Sequence, residues 1–80
     1  MKAQALIQKG TTVCILGLGV TGRAALRYCL ARGAKVRVSD TRDETRFLEE
    51  EGALLAQKSV EWEAGKHSPE FCSGCEVLLP

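Results

Sequence analysis

Eighty residues make one small domain, and a chain this short buries only about 60–65% of the surface its unfolded form exposes. Its hydrophobic (45%) and charged (26%) fractions are those of an ordinary globular domain, and a formal net charge of +1 excludes a strong field for nucleic acid or a membrane surface. No run approaches the ~20 apolar residues that span a bilayer, and the apolar stretch within residues 1–9 is too short for a signal peptide. The expected location is the cytoplasm.

Thr12-Val13-Cys14-Ile15-Leu16 is a nearly unbroken apolar run between Gly10 and Gly17. Lack of polar alternation suits a strand covered on both faces, as in a parallel sheet. The turn Gly17-Leu18-Gly19-Val20-Thr21-Gly22 follows, then a predicted helix from about Thr21 to Arg32. Ala25/Cys29 and Leu26/Leu30 make its apolar i,i+4 pairs, Arg23 and Arg27 lie on a wetter face, and Gly33 stops it. Lys35–Ser39 alternates as a second strand and ends at Asp40.

Asp43 or Thr41 is positioned to cap a second helix over roughly Glu44–Glu51, with Phe47 and Leu48 as its apolar contacts and Gly52 as its end. The like-charge run Glu49–Glu51 reads as a solvated helix face. Ser59–Ala64 alternates as a third strand, Ser68-Pro69-Glu70 opens a short helix, and Glu76–Leu79 reads as a fourth strand. Strands alternating with helices imply right-handed crossovers, hence an α/β Rossmann-like three-layer fold with a parallel sheet of about four strands in the order 3-2-1-4. Such a fold normally continues past its fourth strand, so residues 1–80 are expected to be the first lobe of a longer protein. The edge left at that strand invites self-association.

Four cysteines in a reducing compartment are expected as thiols. Cys14 in a strand and Cys29 in a helix read as small buried hydrophobes. Cys72 and Cys75 form C-x-x-C, but no second pair completes a zinc site and the setting is a loop.

Gly17, Gly19 and Gly22 give G-x-G-x-x-G after a strand and at the start of a helix. The first glycine permits the tight turn, the second lets a diphosphate approach the backbone, and the third allows close packing. The N–H groups of Gly19, Val20, Thr21 and Gly22, with the positive end of the helix dipole, then suit an anion. Arg23-Ala24 stands where an ATP-binding P-loop needs Lys-Ser/Thr, which argues against an ATP site here. Asp40, at the tip of the second strand, is placed to accept from a ribose hydroxyl or a base N–H. Arg42 carries a planar guanidinium able to stack on a base.

The segments Val13–Gly22, Leu30-Ala31-Arg32-Gly33-Ala34 and Val38-Ser39-Asp40-Thr41-Arg42 resemble the N-terminal, UDP-binding domain of the bacterial Mur ligases, most of all the D-glutamate-adding member. The resemblance covers nearly the whole chain, since Val60–Gly65 and Cys75–Pro80 fit the family's third and fourth strands. It implies that Gly19, Val20, Thr21 and Gly22 hold the diphosphate of UDP-N-acetylmuramoyl-L-alanine. Asp40 and Thr41 would then hydrogen-bond the uracil or ribose, and Arg42 would cover the uracil face. It also implies a full-length enzyme that uses ATP and Mg to form an acyl-phosphate and then an amide with D-glutamate, its catalytic residues lying in later domains. A fragment ending at residue 80 is then expected to bind substrate and catalyse nothing. One departure is that Leu79 precedes Pro80 where the family often has serine. Other readings stay open at this point: the NAD(P)-binding lobe of an oxidoreductase, a nucleotide-sensing or purely structural module, and a Mur ligase adding a different amino acid.

Overall fold

The computed structural model describes residues 7–79; the first six of residues 1–9, the stretch of the signal-peptide reading, and Pro80 lie outside them. Chain order is β1 (Thr12–Leu16), α1 (Val20–Ala31), β2 (Lys35–Asp40), a 3-10 turn (Glu44–Arg46), α2 (Glu49–Leu55), β3 (Val60–Ala64) and β4 (Val77–Leu79). Every strand pair is parallel and the order is β3-β2-β1-β4, as the alternation of elements predicts. The apolar β1 is central, with Val13, Cys14 and Ile15 fully buried.

Register sorts the side chains onto two faces. Val13 lies opposite Val36 and Val77, Ile15 opposite Val38 and Leu79, and Val36 opposite Val60. These residues join Leu26 and Cys29 of α1, Leu55 of α2, and Ile7, Leu18 and Ala34 in one apolar core. Both helices cover this face, and Arg23 and Arg27 of α1 reach Glu50 of α2 across their outer surfaces. Gly33, at φ +75°, ends α1 in the left-handed conformation a glycine adopts without strain.

The second helix departs from its sequence reading. Asp43 accepts from the N–H and the hydroxyl of Thr45, both at 2.9 Å, and this cap closes a 3-10 turn and not an α-helix. The α-helix starts afresh after Leu48, whose N–H donates to Glu51 Oε1 at 2.7 Å, and it runs through Gly52 to Leu55. Leu54 and Leu55 make the helix's core contacts and Phe47, as expected, packs against the core just before it, while Leu48 is exposed. Glu51 is not on a solvated face: it is 1% exposed.

The opposite sheet face carries Cys14, Leu16, Arg37, Ser39, Glu63 and Leu78, and the segment 65–76 crosses it as the third layer. No helix forms at Ser68–Glu70. Two i→i+3 bonds, Phe71 N–H to Ser68 O and Ser73 N–H to Glu70 O, make consecutive turns there. Cys14 and Cys72 are joined in a disulfide, Cα to Cα 5.7 Å, which corrects the expectation of four thiols. Partners 58 residues apart meet because β1's register turns Cys14 toward the crossing segment. Cys29 is free and buried, and burial pushes its thiol pKa up; Cys75 is free and partly exposed.

Candidate functional site

The glycine turn joins the carboxyl end of β1 to α1, where open α/β sheets place their ligands. Gly17 has φ +94°, a conformation that strains any side chain, and its N–H donates to Ser39 O at 2.7 Å. A Cβ on Gly22 would stand 2.0 Å from the Gly17 carbonyl oxygen, so α1 can start this close to the turn only with glycine there. On Gly19 a Cβ would meet nothing within 4 Å, which leaves the turn open on its outer side. Gly19 is the N-cap of α1 and among the described residues no side chain caps that end, so its first-turn N–H groups keep their donor capacity. Gly19, Val20 and Thr21 are exposed, whereas Gly22 is buried.

Asp40 is 4% exposed and is tied to the turn from beneath. Its Oδ2 accepts from Leu18 N–H at 2.7 Å and Arg42 Nη2 at 2.9 Å. Its Oδ1 accepts from Arg42 N–H at 2.8 Å, and Arg42 Nε reaches both oxygens at 3.2 and 3.3 Å. Burial pushes the Asp40 carboxyl up, but the Arg42 and Leu18 donors outweigh it and hold the pKa at about 2.

Arg42 bridges Asp40 to Glu51. Nη2 lies 2.6 Å from Glu51 Oε2, Nη1 3.5 Å from Oε1, and Nη2 also donates to Leu18 O at 3.0 Å. The guanidinium carbon sits 5.1 Å from the Phe47 ring centroid, and Phe47 in turn meets Trp62 edge-on at 5.9 Å. Hydrogen bonds to Asp40, then to Glu51, raise the Arg42 pKa above its ordinary value. Burial pushes Glu51 up, yet Arg42 and the Leu48 N–H bring it below the usual carboxylate range.

The sequence-chosen residues therefore separate by position. Gly17, Gly19, Val20, Thr21 and Gly22 form the turn; Asp40 and Arg42 meet directly beneath Leu18; Thr41 is exposed on the same loop. Sequence reasoning missed Glu51 and Leu18. The signal for Glu51 was its spacing three residues after Leu48, where a glutamate reaches back to the N-cap amide.

Cavities elsewhere are less suited. The basin of about 500 Å³ lined by Thr12, Lys35, Arg37 and Lys58 lies at the amino ends of the strands, away from the turn. A groove of about 220 Å³ between Leu16, Leu78 and His67 flanks the carboxyl ends of β1 and β4 on the other sheet face.

Fold and site together define a Rossmann-type α/β unit with an open, uncapped glycine turn clamped by the acid at the end of β2. Residues 11–79 match the family model described as Mur ligase MurD-like, N-terminal domain, and the chain belongs to that family. The UDP-N-acetylmuramoylalanine–D-glutamate ligase of Desulfotalea psychrophila is 45% identical over 79 residues, 99% of this chain and 17% of the relative. The ligase of that name from Bordetella avium is 49% identical over 70 residues (84% and 14%), and the one from Oleidesulfovibrio alaskensis 33% over 78 residues (98% and 17%). The chain thus spans only 14–17% of the length of these curated relatives. No solved structure matches it significantly.

Proposed function

We propose that this chain binds the UDP moiety of UDP-N-acetylmuramoyl-L-alanine, as the first domain of an ATP-dependent, D-glutamate-adding ligase of peptidoglycan precursor synthesis. The observation that carries this reading is the uncapped N-terminus of α1 above an open Gly19, with Asp40 clamped beneath it. The N–H groups of Gly19, Val20, Thr21 and Gly22 receive the diphosphate, aided by the helix dipole. Thr41, exposed beside the clamp, supplies the polar contact to uracil or ribose. Asp40, whose oxygens also accept from Leu18 and Arg42, shares that contact with Thr41, while Arg42 lies against the uracil face.

The glycine turn does not fit an ATP-binding P-loop: Arg23-Ala24 occupies the place of Lys-Ser/Thr, so no side chain there is placed to reach the β/γ-phosphates. No catalytic step is assigned to this chain; its part is to hold and orient substrate for chemistry done by the remainder of the enzyme. The chain alone is expected to catalyse nothing and to self-associate through the β4 edge, increasingly with concentration. An amide-shift NMR titration tests the reading. UDP should move Gly19–Gly22 and Asp40–Arg42, and Gly19→Val should block it; movement by NADH but not by UDP would make this an NAD(P)-binding lobe.

A further inference from the structure

Glu51 stands outside the site as read from sequence, yet it is the most buried acid among the described residues. A carboxylate taken out of water is costly unless it is paired, and a well-packed apolar side chain of similar volume would stabilise the fold about as well. What the ionic group adds is direction. Glu51 faces the Arg42 fork with both oxygens, at 2.6 and 3.5 Å, and Oε1 is itself fixed by the Leu48 N–H at 2.7 Å, at the start of α2. The same Arg42 Nη2 donates to Leu18 O and Asp40 Oδ2, while Leu18 N–H donates to Asp40 Oδ2. Leu18 is thereby held at both its N–H and its C=O, and it lies between Gly17 and Gly19. One guanidinium links α2, the tip of β2 and the glycine turn. Glu51 holds it through Nη2, the same nitrogen that donates to Leu18 O.

We propose that Glu51 is a positioning residue of the nucleotide site: it holds the Arg42 guanidinium where it pins Leu18 and Asp40, and so fixes the glycine turn and the Asp40–Arg42 edge in the arrangement that receives a nucleoside diphosphate. The inference rests on the UDP-binding reading of the same site. Glu51 is too buried to touch ligand and acts through Arg42.

A double-mutant cycle on the 80-residue chain tests it, with UDP as the probe and Kd read from amide shifts of the folded protein. Glu51→Gln removes the charge but keeps the shape, and it should weaken UDP binding about tenfold and move the Leu18 and Arg42 amide signals in the absence of ligand. In an Arg42→Ala background the same substitution should change Kd less than about twofold, because no guanidinium is left to hold. A merely structural glutamate would lower the melting temperature and leave Kd of the folded chain unchanged. If Glu51→Gln does not fold, Glu51→Met, which fills the site without a buried charge, carries the same expectations. An unchanged Kd, or an equal loss in both backgrounds, overturns the inference and leaves the UDP reading intact. A wild-type chain that does not bind UDP overturns that reading, and the role assigned to Glu51 with it.

Discussion

The two faces of the sheet are held by different physics. On the helical face, valines from all four strands and Ile15 of β1 meet Leu26, Cys29 and Leu55 in a continuous apolar core. On the other face the segment 65–76 is fastened at points. Cys14 bonds Cys72, Arg37 donates to the carbonyls of Phe71 and Ser73, and Ser39 Oγ lies 2.6 Å from both Glu63 and His67 Nδ1. Burial is non-directional and shared among many side chains, so it tolerates loss of any one polar contact. Point fastenings are directional and few, so each responds to its own chemistry. The glycine turn joins the two: Leu18 packs in the apolar core, while Gly17 is bonded to the backbone of Ser39, whose side chain belongs to the polar face.

The largest expected effect sharpens this contrast. Reducing the Cys14–Cys72 disulfide releases a 58-residue loop and should cost about 4 kcal/mol on the chain-entropy account. Hydrogen exchange with and without reductant should show local protection falling first in 65–76; uniform loss across α1 and α2 would mean that the faces are not separable. Next, Leu26→Ala cuts into the fully buried core and should cost about 3 kcal/mol, read as a lower denaturant midpoint. Its loss should be the same in oxidised and reduced chains if the faces act independently.

Acid attacks the rim between the faces. The folded Asp40 carboxyl titrates at about 2 against an ordinary 3.8, so its stabilising contribution is complete above about pH 5 and is lost as pH falls through 2. For this buried carboxyl that amounts to about 2 kcal/mol, and Asp40→Asn should flatten the melting curve's dependence on pH between 5 and 2. Smallest of all, Glu50→Ala removes the exposed pairing with Arg23 and Arg27 and should cost less than about 0.5 kcal/mol. A loss above 1 kcal/mol would show that the outer helix surfaces contribute more to this face than solvent screening allows.

Much of the helical face was legible from sequence because its cause is periodicity. The unbroken run Thr12–Leu16 defined a central strand, Val36 and Val38 alternated, and Gly33 marked the end of α1. The jobs of Gly17 and Gly22 were also legible, since a positive φ and a close backbone approach both exclude a Cβ. The second helix was displaced by several residues because Asp43 caps a 3-10 turn as readily as an α-helix, and only the core's demand for Leu55 decided where helix resumed.

By itself, the sequence determined the parallel α/β order, the glycine turn and the acid at the end of β2. These are local patterns, set by side-chain spacing within about twenty residues of chain. Tertiary structure alone decided that Asp40 faces inward to Leu18 and Arg42, that one glutamate of the run Glu49–Glu51 is buried against that arginine, and that Cys14 meets Cys72. Each of those pairings depends on which face a residue presents once strands are in register and segments have crossed them. A charge or a thiol carries no periodic signal that names its partner.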